Sequence, residues 1–137
     1  MRQGVTILLL IVSGAIAAFI GLVILFIPQI LHAGNTDVLT AGAELYSELR
    51  APGALLAVLG GLILASAFRP ASRRMGLGLS AILYLSYGMA RLWSLYVDGH
   101  PGDMLMITTG IELALGLAAL GGVFLPASRP LEKEAGS

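Results

Sequence analysis

An all-α membrane fold of four spanning helices, N-terminus and C-terminus both on the inner side, is what this sequence predicts, and three observations predict it. Hydrophobic residues fill 57% of the 137 positions and charged residues only 12%. Four apolar runs, at about 5–27, 45–68, 75–97 and 104–125, are each long enough to cross a hydrocarbon layer ~30 Å thick at ~1.5 Å rise per residue. Basic residues gather at alternate ends of these runs: Arg2 before the first, Arg69, Arg73 and Arg74 between the second and third, Arg129 and Lys133 after the fourth. The other two connections carry Asp37, Glu44, Asp98 and Asp103 with no Lys or Arg, so the positive-inside rule places the basic ends in the cytoplasm.

The first run begins Met1-Arg2 and contains Ala15-Ile16-Ala17, which resembles a signal-peptide cleavage site. Its hydrophobicity continues unbroken to Ile27, where a processed chain turns polar, so a retained helix is expected. Ser13, Ala17 and Gly21, or Gly14 and Ala18, stand at the four-residue spacing that lets membrane helices pack closely, and Pro28 closes the run. The stretch 29–43 is the least apolar of the chain; Gly34-Asn35 signals a turn, and Thr36 or Asp37 is placed to cap a short interfacial helix.

The second run opens on Glu48 and Arg50. Pro52 follows and has no N–H to offer the Glu48 carbonyl, so the helix is expected either to kink there or to begin there. In the third run Ser80, Tyr84, Tyr87, Arg91, Ser94 and Asp98 follow a 4-3-4-3-4 spacing that puts all six on one face. Leu79, Ile82, Leu83, Met89 and Leu92 are expected on the other side. After a tight turn at 98–103, with Asp103 placed as a cap, the fourth run aligns Thr109, Glu112, Gly116 and Ala119. Pro126 stops it, and 128–137 reads as a short solvated tail. Trp93, Tyr96 and Tyr46 fall where an aromatic belt would lie. An echo between Glu48-Leu49 with Leu59-Gly60-Gly61 and Glu112-Leu113 with Leu120-Gly121-Gly122 hints at a duplicated hairpin, but unequal intervals stop short of a repeat.

Short connections leave one membrane domain over 1–137. Eight basic and eight acidic residues cancel, which gives no reason to expect a nucleic-acid partner. Without cysteine there is no disulfide framework, thiol nucleophile or thiolate metal site. No Ser/His/Asp set lies at one depth and no Gly-rich phosphate loop is present, so a non-enzymatic protein without cofactor is expected. His32, His100, Asp98 and Asp103 read as a solvated outer loop rather than a metal site.

A charge inside a spanning run costs about 2.5–3.5 kcal/mol by insertion scales, so each needs a reason. Glu48, Arg50, Arg91 and Glu112 all fall in the outer half, about 5–12 Å deep at ~1.5 Å per residue. Two acids and two bases can pair as Arg91–Glu112 and Arg50–Glu48, with the Tyr84 and Tyr87 hydroxyls expected to be hydrogen-bonded to Arg91. The candidate polar cluster is therefore Glu48, Arg50, Tyr84, Tyr87, Arg91, Asp98 and Glu112. One reading makes it a site for a membrane lipid headgroup or a small amphipathic ligand. A second makes it purely structural, in an accessory or assembly subunit of a larger membrane complex. A small transporter acting as a homo-oligomer is the third. An outward-open cavity lined by Tyr87, Arg91 and Glu112 favours the first; a closed bundle with a large exposed apolar groove favours the second.

Glu48-Leu49-Arg50-Ala51, Arg91 followed seven residues later by Asp98-Gly99 and then Pro101, and Glu112-Leu113 occur in this order across nearly the whole chain. Together they resemble a family of small four-helix bacterial integral membrane proteins, the domain of unknown function 4345 type. The resemblance implies a bacterial inner-membrane protein with Glu48, Arg50, Arg91, Asp98 and Glu112 as signature polar positions. Pro52-Gly53 departs from the pattern, standing where an aromatic residue and glycines are expected. The resemblance implies fold and location, not an activity.

Overall fold

The computed structural model describes residues 3–31 and 42–125. The expected turn at Gly34-Asn35, the cap at Thr36 or Asp37, His32, the stop at Pro126 and the tail lie outside the described residues. Among those described, the chain forms five α-helices and one 3-10 turn, with no strand. Helix α1 is Gln3–Phe26, α2 is Pro28–Leu31, α3 is Ala43–Ala67, α4 is Arg73–Asp98 and α5 is Asp103–Phe124; the 3-10 turn is Pro70–Ser72.

Three of the helices, α1, α3 and α5, are long and apolar enough to cross a membrane, which points to a membrane protein. The longest, α4 at 26 residues, falls short of that apolarity. Its polar stripe is the reason: Ser80 and Tyr84 are buried, Tyr87, Arg91 and Ser94 half-buried, so the stripe turns inward. The outward faces are apolar, as at Phe19, Ile82 and Ile107.

Packing is pairwise. The most extensive contact is α1 along α3, followed by α4 along α5, while α1 and α5 scarcely meet. Glycines set the first pair. A methyl group at Gly14 would lie 2.5 Å from the Leu64 nitrogen and 2.9 Å from the Gly60 oxygen. One at Gly21 or Gly60 would overlap the backbone of Ala57 or Ala18 respectively. Backbones this close maximise van der Waals contact, the main source of helix association where no water is excluded. The α4–α5 pair is looser: Gly88 and Gly116 receive the Leu113 and Leu85 side chains. The echo between the halves thus coincides with two packed hairpins, but Glu48 is exposed where Glu112 is buried.

Three local expectations are corrected. Helix α3 runs unbroken through Pro52 from Ala43, so it does not begin at the proline. Its N-cap, Gly42, lies upstream, and Pro52 sits on an exposed face where a missing donor is tolerated. Asp103 is the first helical residue of α5 rather than its cap. Gly102 holds the cap position at φ 100 and, with Gly99 at φ 94, supplies the left-handed backbone that the tight turn requires. Leu83 is buried rather than outward. It stands three residues after Ser80 and four before Tyr87, so helical periodicity keeps it beside the buried stripe.

Candidate functional site

The site is built where α1 and α5 scarcely meet. The α1–α3 interface is drawn tight by glycine, while α4 and α5 hold each other through Leu85 and Leu113, and contact between the two pairs is sparser. A cavity of about 440 Å³ opens there, lined by side chains of all four long helices. Ile16, Ala17, Ile20 and Ile24 of α1 and Leu56 of α3 form an apolar wall. Leu83, Tyr84, Tyr87 and Arg91 of α4 and Met104, Leu105, Thr108 and Glu112 of α5 form the other.

The second wall carries the charge. Arg91 Nε donates to Glu112 Oε2 at 2.9 Å, joining α4 to α5. The Glu112 side chain is 11% exposed and that of Arg91 32%. A buried carboxylate and a half-open guanidinium thus share one contact, away from most of the screening that water would provide. The expected hydrogen bonds from Arg91 to the Tyr84 and Tyr87 hydroxyls are not formed; the Tyr84 hydroxyl instead donates to the Ser13 main-chain oxygen at 2.5 Å, tying α4 to α1. Thr108 and Thr109 turn their hydroxyls back to the Met104 and Leu105 carbonyls at 2.9 and 2.8 Å. They are therefore satisfied within their own helix. Ser13 and Ser80 are buried with no hydrogen-bond partner for their hydroxyls among the described residues.

Of the seven residues singled out from the sequence, four meet around the cavity: Tyr84, Tyr87, Arg91 and Glu112. The other three do not line it. Asp98 sits at the end of α4 and accepts from Ser94 Oγ at 2.8 Å. Glu48 and Arg50 are both exposed, and the expected ion pair between them is absent. Residues two apart on a helix project to nearly opposite sides, which rules the pair out once α3 is helical from Ala43. Arg50 instead lies 5.7 Å over the centre of the Tyr46 ring.

Sequence reasoning missed the apolar wall and the Thr108 side of the site. Ile16, Ile20 and Ile24 recur every four residues, a visible signal, but a lipid-facing stripe has the same pattern. At the C-terminal end of α3 it also missed two contacts that close the helix. Ser66 Oγ donates to Ile63 O at 2.6 Å, and Arg73 Nε donates to Ala67 O at 3.1 Å across the 3-10 turn. The second places a cation on the last carbonyls of α3, where the helix dipole favours it.

What the arrangement can do chemically is limited and specific. It offers a partly open, largely apolar volume with a neutral pair of opposite charges on one side and two tyrosines in its lining. Comparison with curated proteins and with solved structures returns no match. The family resemblance is borne out: the chain belongs to the family described as Domain of unknown function (DUF4345), whose model it matches over residues 5–123.

Proposed function

We propose that the protein is a multi-pass protein of a bacterial inner membrane that binds a small amphipathic molecule in the cavity between its two hairpins. The observation that carries this reading is the cavity itself, shared by four helices and bearing Arg91 and Glu112 as the charged residues of its lining. A bundle serving as an inert scaffold has no need to leave about 440 Å³ unfilled beside a buried ion pair, because filling it with side chains would be stabilising. That size lies within the range of small-molecule sites, ~300–1,000 Å³.

In this reading α4 is the fourth span, its polar stripe covered by α1, α3 and α5. The Arg69, Arg73 and Arg74 cluster faces the cytoplasm with both termini, and the 98–103 turn faces outward. Arg91 and Glu112 then form an intramembrane ion pair. Binding is favoured over catalysis because the one acid on the cavity is already held by Arg91. The accessory-subunit reading has less support, since the bundle is open rather than closed.

The test is occupancy. The full chain, purified in mild detergent and examined by native mass spectrometry, is expected to carry a co-purifying amphiphile. Leu105→Trp, a substitution at a half-open lining position, should fill the cavity and remove that adduct without changing the melting temperature. A bare chain in both forms would overturn the reading.

A further inference from the structure

We infer that the cavity selects an electroneutral amphiphile whose head carries hydrogen-bond acceptors, such as hydroxyl or ester oxygens, over an anionic one. This rests on the binding reading above and adds the chemical class of the ligand.

Charge balance is the first argument. Arg91 and Glu112 are the charged residues of the lining, and they cancel. An anionic head would be drawn to the guanidinium, but Glu112 already occupies that cation from a nearly buried position. A second negative charge would either crowd Glu112 or displace it. Crowding sets two negative charges against one cation, and displacement leaves a buried carboxylate without its counter-ion, so both carry a large penalty. A neutral oxygen leaves the pair intact.

Donor count is the second. A guanidinium has five N–H donors and no acceptor, and a single carboxylate engages at most two of them. Among the described residues Arg91 has no partner besides Glu112. Most of its donors therefore remain for a ligand, on a side chain that is 32% exposed. Tyr87 adds a hydroxyl that can donate or accept. The head that complements this wall supplies oxygen acceptors and takes no net charge.

The apolar wall seats the rest of the molecule. Ile16, Ile20 and Ile24 stand on one line about 12 Å long at ~1.5 Å per residue, facing the charged pair across the cavity. A hydrocarbon body laid along these isoleucines keeps its head within reach of Arg91.

Two probes with one tail isolate the head. Dodecanoylglycerol and dodecanoate are titrated onto the full chain in phosphatidylcholine nanodiscs, above neutral pH so that the carboxylate is ionised. The glycerol ester should bind saturably and at least about tenfold more tightly than dodecanoate. Leu105→Trp should abolish that binding; if it melts early, Thr108→Phe replaces it. Dodecanoate binding equally well or better overturns the selection for a neutral head and leaves the cavity reading standing. No saturable binding of either probe, or ester binding that survives a folded cavity-filling variant, overturns the cavity reading itself.

Discussion

Arg91 of α4 and Glu112 of α5 are joined by a hydrogen bond of 2.9 Å, yet they are unequally exposed, at 32% and 11%. The carboxylate is the committed partner: it lies on the buried stripe of α5 with Thr109, Gly116 and Ala119. The guanidinium is the open one. Removing Arg91 therefore strands a buried charge, whereas removing the Glu112 charge leaves a cation with some access to its surroundings.

Arg91→Leu is accordingly expected to lower stability by about 2–3 kcal/mol, below the full cost of breaking a buried pair because Arg91 is partly open. Arg91→Leu with Glu112→Leu should recover much of the loss, since a hydrophobic pair of similar volume carries no desolvation penalty. Thermal melting of both variants in detergent decides it. A single variant as stable as the parent would show that the contact contributes nothing.

Adjacent glycines on α3 should behave oppositely. A methyl group at Gly60 would overlap the Ala18 backbone, while one at Gly61 meets nothing within 4 Å. Gly60→Ala should pry α1 from α3 and cost at least about 1–3 kcal/mol. Gly61→Ala should be neutral or gain up to about 1 kcal/mol from helix propensity. Comparable losses at both positions would mean that α1 and α3 do not pack along this line.

How far the sequence disclosed this arrangement varies by helix. On α5, Thr109, Glu112, Gly116 and Ala119 were legible as one face because polar and small residues interrupt an apolar background at helical spacing, and they are the buried set. On α4 the same logic found Tyr84, Tyr87 and Arg91 but misplaced Leu83, since the buried face is wider than its polar stripe. On α3, Glu48 and Arg50 looked like a pair by composition, and only the helical start at Ala43 separates them. The polar side of the cavity, Tyr87, Arg91 and Glu112, was legible, but its apolar wall and its size were not. The cavity arises from unequal helix spacing, tight where Gly14, Gly21 and Gly60 allow contact and wide between α1 and α5, and spacing between distant segments leaves no local mark.

The passage of α4 between the two sides is tested by labelling. The chain contains no cysteine, so single cysteines report without background. Ala71 in the 3-10 turn and His100 in the α4–α5 turn are both exposed. In intact cells His100→Cys should react with a membrane-impermeant maleimide and Ala71→Cys only with a permeant one. Equal labelling of both by the impermeant reagent would remove α4 as a span.

Replacing Glu112 by Gln isolates charge from shape. Glutamine keeps the length of the side chain and an oxygen that still accepts from Arg91 Nε. The hydrogen bond then joins a cation to a neutral amide, weaker than the charge-assisted bond it replaces, so a stability loss of about 1–2 kcal/mol is expected rather than unfolding. Arg91 is left as an uncompensated positive charge on the cavity wall, and the objection to an anionic head disappears with the carboxylate. The variant should therefore reverse the parent's preference, binding dodecanoate more tightly than dodecanoylglycerol, with an affinity that falls as salt is raised. The two titrations, read beside the melting curve, separate the roles of the pair. A folded variant with the parent's preference for the neutral ester would show that Glu112 positions Arg91 without setting the charge of the site. A variant that melts far below the parent and binds neither probe would assign the pair to holding α4 against α5.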